Sequence, residues 1–227
     1  MGFSGANNIG IKNSKGDYIF LLNADTIIEK NTIKQLVDVL ETYPNSAAVS
    51  PKIIYHKEKL IQYAGTTEFS KFTLKNKHIG NKKIDNGDYD KIEKTAFNHG
   101  AAMMVKKSII DKVGMMPEEY FLYYEELDWC NSFKRNGYDL YYNGLTKIYH
   151  KESATTGKIK GLKSYYLNRN RVLFTIRNYN GLERIITIFY LMMISFPKNL
   201  IYNINDMTTL KSIVRAFIWN IKKIFKL

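Results

Sequence analysis

Cysteine is almost absent. Cys130 is the only one in 227 residues, so no internal disulfide can form and a reducing compartment is the expectation. Proline is scarce too, at four, and neither an internal repeat nor a low-complexity tract is present. With 45% hydrophobic and 14% aromatic residues, the composition excludes a disordered tail and a collagen-like chain, and it supports one substantial domain. The opening Met1-Gly2-Phe3-Ser4-Gly5 lacks the basic and apolar regions of a signal peptide. Long apolar runs are also missing. The longest, Ile185 to Phe196, is interrupted by Thr187 and Ser195 and stopped by Pro197, short of the roughly 20 residues that span a bilayer. A helix lying in or under a membrane surface remains compatible with it. Acidic residues are outnumbered, 21 against 34 basic, for a net charge of +13. The excess is local. From Gly157 to Leu227, 13 Lys and Arg face only Glu183 and Asp206, a balance of +11 that leaves +2 for residues 1 to 156.

The first part reads as alternating helices and strands. Asn7 to Asn13 is a short polar helix ended by Ser14-Lys15-Gly16. Tyr18 to Leu22 is continuously apolar, the pattern of a strand buried on both faces. Asn31 caps a helix with Ile33, Leu36, Val37 and Leu40 on one face, and Ala47-Ala48-Val49 begins another strand. Strand, helix, strand at this spacing predicts a βαβ unit and a mostly parallel sheet. Residues 66 to 95, polar and lysine-rich, read as an excursion or flexible loop. Ala101 to Val105 is a strand and Ser108 to Val113 a helix stopped by Gly114. Glu126 to Arg135 forms a helix that is acidic first and basic last, and Asp139 to Tyr142 and Thr146 to His150 are two further strands. After Gly157 the chain turns to helices rich in Tyr, Ile and Lys. The expected division is a core over 1–156 and a basic, mainly helical extension over 157–227.

Three places carry candidate chemistry. Asn23-Ala24-Asp25-Thr26 follows a strand directly, where open α/β sheets bind ligands. A carboxylate there can hold a divalent cation shared with phosphate oxygens, or simply cap a turn. Glu125, Glu126 and Asp128 crowd three acids beside Tyr123, Tyr124 and Trp129. Such crowding raises a pKa and suits a general base, although acids at a helix start are also favoured by the dipole. His150 ends a strand and is either a metal ligand or a satisfied side chain. His56, His78 and His99 have no spacing that pairs them as a zinc site. Gly100-Ala101-Ala102 allows close approach of a ligand or of packed backbone.

In this order the blocks resemble the family 2 glycosyltransferases of the GT-A fold, especially rhamnosyltransferase-like members. The matching residues are Gly2 to Gly10, Gly16 to Thr26, Pro51-Lys52, Gly100 to Met103, Tyr124 to Cys130, Gly137-Tyr138 and Tyr149 to Lys151, within about residues 1 to 180. The resemblance implies a GT-A-like α/β fold, a mixed, mostly parallel sheet flanked by helices, with a helical C-terminal extension. The implied reaction is inverting transfer of a hexosyl or rhamnosyl group from a nucleotide-sugar to a cell-surface glycan or lipid-linked acceptor. Asn23-Ala24-Asp25 looks like the family's DxD-type motif with only the last acid kept, so Asn23 and Asp25 are expected at the donor and Asp25 on Mg2+ or Mn2+. His150 matches a histidine that completes the metal site. Glu126 stands where the family usually has a catalytic Asp, with Glu125 and Asp128 as the other candidate bases. Gly100, Ala101 and Ala102 would line the donor sugar, and Trp129 the acceptor side. The family's opening βαβ half has no counterpart before Met1, so an exposed sheet edge, an incomplete donor pocket and weak turnover by this chain alone are expected. An inactive remnant, or the partner-binding half of a split transferase, is the alternative.

The charge of the last third supports an anionic membrane surface as partner. Leu210, Ile213, Val214, Phe217, Ile218, Ile221, Ile224 and Leu227 fall on one helical stripe bordered by lysines. The expected location is cytoplasmic, on the inner face of the cell membrane, in polysaccharide or envelope biosynthesis. Tyr165, Tyr166 and Arg169 could instead serve a nucleic-acid-binding module, but an acidic cluster repels phosphate, and no nucleic acid is expected as partner.

Overall fold

The computed structural model describes residues 2–151 and 161–226. Along the first of these segments run α1 (Phe3–Asn13), β1 (Tyr18–Leu22), β2 (Thr26–Ile28), α2 (Thr32–Thr42), β3 (Ser46–Tyr55), β4 (Ile61–Tyr63) and β5 (Ile92–Lys94). Then come β6 (Ala102–Lys106), α3 (Lys107–Val113), a 3-10 turn at Glu118–Tyr120, α4 (Glu125–Arg135) and β7 (Asp139–His150). The second segment holds α5 (Leu162–Asn178), α6 (Gly181–Phe189), a π-helical stretch Tyr190–Ser195, α7 (Phe196–Tyr202) and α8 (Met207–Ile224).

One mixed sheet of seven strands organises the first segment, in the order β1-β6-β3-β7-β2, with β4 on β3 and β5 on β7. The α/β architecture flanked by helices is as expected; the mostly parallel pairing is not. Only β3 and β7 pair in parallel, and the other pairings are antiparallel. The reason is an insertion. β1 and β3 point the same way, as the strand-helix-strand spacing requires, but β6 enters antiparallel between them.

That placement also corrects the reading of β1. It pairs only with β6 among the described strands, so it is an edge strand. Ile19 and Leu21 are buried while Leu22 is exposed, giving one buried face rather than two. α1 starts four residues earlier than its polar pattern suggests, because Phe3 N–H donates to Phe121 O and Ser4 and Gly5 are buried. Tertiary contact offsets the cost of its first turn. In α2, Leu36, Val39 and Leu40 are buried and Ile33 is exposed.

The two strands expected between Asp139 and His150 are one long β7, whose register against β3 slips between Pro51 and Lys52. The lysine-rich excursion is pinned to the sheet. Buried Lys52 pairs with Asp85 at 2.7 Å and with Asp90, and β5 adds a short strand to β7.

The expected boundary at 156/157 lies outside the described residues. Beyond it, Val172, Leu173 and Phe174 of α5 join Tyr120 and Leu74 in one apolar cluster. α8 packs on α5 through Ile213, Ala216 and Asn220. The apolar stripe read on this helix is therefore divided: Ile213 is buried, whereas Val214, Ile218 and Ile221 are exposed. Leu227 lies outside the described residues.

Candidate active site

The turn after β1 is closed by its own hydrogen bonds. Asn23 N–H donates to Ala101 O at 3.0 Å, and Thr26 donates to Asn23 O through its amide and, at 2.7 Å, through Oγ1. β2 then pairs with the last residues of β7, Thr26 opposite His150, and Lys151 N–H donates to Asp25 O. This register brings Asp25 Oδ1 to 3.2 Å from His150 Nε2, 125 residues apart in sequence. Asn23 Nδ2 lies 3.5 Å from the same nitrogen.

On the far side of the ring, His150 Nδ1 lies 2.9 Å from Gln62 Oε1 on β4. An amide oxygen only accepts, so Nδ1 carries a hydrogen and Nε2 is the nitrogen turned to Asp25. Two acceptors at this distance call for a proton or a cation between them. Two ligands at right angles on Mg2+, with bonds of about 2.0–2.1 Å, stand about 3 Å apart, so the pair fits a divalent ion. Among the described residues no group of three or more His, Cys, Asp or Glu could hold a metal by itself. Further ligands would have to come from solvent or substrate oxygens.

Behind His150 the rings of His99 and His78 follow at 6.5 Å and 5.8 Å, with Tyr63 packed against both. Sequence spacing gave no sign of this row, which the sheet assembles. Burial, with His78 and His150 beside it, pushes the His99 pKa down to about 3. Its Nδ1 accepts from Ala101 N–H at 3.1 Å. His99 therefore shapes the Gly100–Ala101 turn as a neutral ring.

The acids sit on a strained approach. Phe121, Tyr123 and Tyr124 all have left-handed backbone, with φ of 66°, 69° and 78°, which costs non-glycine residues of order 1 kcal/mol or more each. Asn170 of α5 compensates. Its Nδ2 donates to Tyr120 O, Leu122 O and Tyr123 O at 3.1, 2.8 and 2.8 Å. Arg169 donates to Glu119 O and Tyr120 O. From below, Gly2 leaves no room for a side chain: a Cβ there would stand 2.0 Å from Phe121 O.

The loop delivers Glu125, Glu126 and Asp128 to different surroundings. Asp128 is fully buried and paired with Arg177 Nε of α5, so it locks α4 to α5 rather than facing a substrate. Glu125 is 2% exposed, with Oε2 lacking a hydrogen-bond partner. Burial, and then the charge of Glu126, pushes its pKa well up. Glu126 is only half-buried and lies against Gly100, where a Cβ would stand 3.5 Å from its carboxyl group. Burial raises its pKa as well. Of the three acids, Glu126 has the access and the basicity for proton transfer.

Gly100 and Ala101 connect the two centres. Ala101 O receives Asn23 N–H, and Gly100 underlies Glu126. Two sequence-based expectations need correction here. Ala101 and Ala102 are 2% and 0% exposed, so their side chains pack into the core and only Gly100 presents a surface. Trp129 is 1% exposed in the main apolar cluster, with Nε1 donating to Gly114 O at 2.9 Å. Its helical phase turns it inward, away from any acceptor. Gln62, Asn170 and Arg177 were not singled out for these roles from the sequence, since each acts through a contact 48 or more residues away, and His99, though bonded to Ala101 two residues on, was set aside for want of metal-site spacing.

Comparison with known proteins bears on the family and the fold. The chain is 26% identical over 177 residues to the low-salt glycan biosynthesis hexosyltransferase Agl10 of Haloferax volcanii, covering 76% of this chain and 56% of that protein. It is 26% identical over 161 residues to an uncharacterized protein, y4gI, of Sinorhizobium fredii, covering 68% of this chain and 17% of that one. Among solved structures, GalNAc-T7 with UDP, GalNAc and Mn2+ superposes at a TM-score of 0.54 with 12% identity, over 92% of this chain and 45% of that one. The mannosyltransferase PcManGT of Pyrobaculum calidifontis, in complex with GDP-Man and Mn2+, gives 0.51 with 14% identity, over 95% and 53%. The chain thus spans about half the length or less of these proteins, and the two structures share its fold. Residues 1–114 match glycosyl transferase family 2, and the chain belongs to that family.

Proposed function

We propose that the chain carries the metal-holding and proton-accepting parts of an inverting glycosyltransferase. It takes a hexosyl group, rhamnosyl included, from a nucleotide-sugar to a glycan or lipid-linked acceptor. The observation that carries the reading is the meeting of two centres over Gly100–Ala101: the Asp25–His150 pair on one side and Glu126 on the other.

In a single displacement the acceptor oxygen forms a bond to the anomeric carbon as the bond to the diphosphate oxygen breaks, inverting that carbon. Glu126 accepts the hydroxyl proton, and its raised pKa keeps it basic enough to do so. Asp25 and His150 would hold the divalent ion, which when bound neutralises charge on the diphosphate leaving group. Gln62 fixes the His150 ring and Asn170 fixes the loop that carries Glu126. The free edge of β1, with chain coverage of about half the relatives, supports a reading in which further contacts to the donor base come from beyond this sheet. The residues a nucleic-acid reading would use are engaged internally: Tyr166 stacks on Phe121, and Arg169 is 8% exposed.

The test separates the two centres. Asp25→Asn should abolish Mn2+-dependent binding of UDP- or GDP-sugars in calorimetry. Glu126→Gln should leave that binding intact while kcat falls about 10²–10⁴-fold. Near-normal kcat in Glu126→Gln would place the base elsewhere.

A further inference from the structure

Gly181–Tyr202 forms one continuous helix of 22 residues whose most apolar 18-residue window has a mean hydropathy of 1.5 and is only 17% buried. Its polar side faces inward. Thr187 Oγ1 donates to Lys71 O at 2.6 Å, Arg171 donates to Ser195 Oγ at 2.8 Å, and Glu183 pairs with Lys71 at 2.8 Å. Its apolar side faces out. Leu182, Ile185, Phe189, Met193 and Ile201, spaced at helical intervals, are each 60–70% exposed. At 1.5 Å per residue this unpartnered stripe runs close to 30 Å, far more apolar surface than an isolated chain ordinarily leaves in water.

α8 extends it. Val214, Ile218, Ile221 and Phe225 form an exposed stripe, while Ile213, Ala216 and Asn220 face α5. Phe217 lies between these two stripes on the helix and stacks on Phe196 of α7 with ring centroids 3.9 Å apart. The exposed stripe of α8 is therefore on the side nearer α7. Next to it, away from α7, Lys211, Arg215, Lys222 and Lys226 form an exposed row with no ion pair among the described residues. An apolar band with a basic border is the pattern of a helix face seated at a lipid headgroup boundary.

We infer that α6, α7 and the outer stripe of α8 form a monotopic docking face for an anionic bilayer, lying in the membrane plane. Charge selects this occupant. Residues 157 to 227 carry a balance of +11, which opposes pairing with a second copy through the same face but is attracted by anionic headgroups. Thr187, Ser195 and Glu183, bonded to the rest of the fold, keep the 22-residue helix from crossing the bilayer. The principal contact is thus the 181–202 helix, with α8 as its basic flank, rather than residues 210–227 alone. The inference does not depend on the transferase reading.

The test is sedimentation of the purified full chain with vesicles of phosphatidylcholine plus phosphatidylglycerol, and of phosphatidylcholine alone. Binding should favour the anionic vesicles, weaken with salt and be released by alkaline carbonate. Phe189→Asp with Met193→Asp should reduce partitioning by at least about tenfold, with an unchanged circular dichroism spectrum because both residues are exposed. Lys222→Gln should reduce it about fivefold at low salt. Equal pelleting of wild type and the double variant would overturn the inference. So would carbonate-resistant insertion, or failure to bind vesicles together with a dimer that the double variant dissociates.

Discussion

Asn170 offers a quantitative test of how Glu126 is held. It is fully buried, and its amide serves three carbonyls of the 120–123 loop. One NH2 group has two hydrogens, so the net contribution is nearer two hydrogen bonds than three, about 2 kcal/mol. Against it stand three left-handed residues at roughly 1 kcal/mol or more each. Removing the amide leaves the strain and strips two carbonyls, Leu122 O and Tyr123 O, of their side-chain donor, opposed mainly by Arg169 on Tyr120 O and the Phe3–Phe121 bond. Asn170→Ala should lower Tm by about 4–8 °C and speed hydrogen exchange at residues 121 to 124. Asn170→Asp, nearly the same size but presenting oxygen to oxygen, should be worse than alanine. Because the Asp25–His150 pair is built from β1, β2, β4 and β7, donor affinity should hold in both variants. Displacing Glu126 by about 1 Å should cost kcat on the order of 10²-fold. If Asn170→Asp matched wild type in kcat and exchange, or if donor affinity fell in step with kcat, the clamp would not be what positions the acid.

Other outcomes follow from the same geometry. Gln62→Leu frees the far side of the His150 ring and should weaken Mn2+-dependent donor binding about 10–100-fold with little change in Tm, read by calorimetry. Glu125 holds its proton in the fold at pH values where the unfolded chain has released it. Its contribution is therefore complete below the ordinary glutamate range and is lost as pH rises toward the raised folded value. Thermal scans at about pH 5 and about pH 8 should show wild type losing stability upward, and Glu125→Gln should flatten that slope; an unchanged slope would mean the carboxyl is not charged at a cost. For Glu126 the same direction of shift predicts kcat rising with pH through its raised pKa, a dependence that Glu126→Gln should remove.

Local pattern made much of the fold legible. The apolar run Tyr18 to Leu22, the face of Leu36 and Leu40, and the acid-to-basic polarity of Glu126 to Arg135 all mark elements that formed where expected, the last beginning one residue earlier, at Glu125. Pairing was less legible, because nothing within Ala102 to Lys106 states that it will insert between β1 and β3. The same holds at the site. Asp25, Glu126 and His150 stood out as residue types at strand ends and a helix start. Their partners did not: Gln62 is a lone glutamine in a three-residue strand, and Asn170 is a buried asparagine inside a helix of ordinary polar pattern. Helical phase, rather than residue type, decided Trp129 and Asp128. Positions 128, 129, 130 and 133 of α4 all turn inward, which left Glu126 as the accessible acid.

The charge asymmetry suggested a catalytic core followed by a basic appendage, but the contacts join the two more closely. α5 supplies Asn170 and Arg169 to the strained loop and Arg177 to buried Asp128, so Glu126 is presented by α4 but aligned from α5. α5 also supports the apolar helix, through Arg171 to Ser195, and α8, through Asn168 O to Asn220. One helix therefore touches both the loop that carries Glu126 and the elements that leave apolar surface exposed. A lipid surface held by α6–α8 would meet a scaffold rigidly bonded to the acid loop, with no flexible linker between them among the described contacts. An acceptor anchored in that surface would then approach Glu126 at a height set by α5.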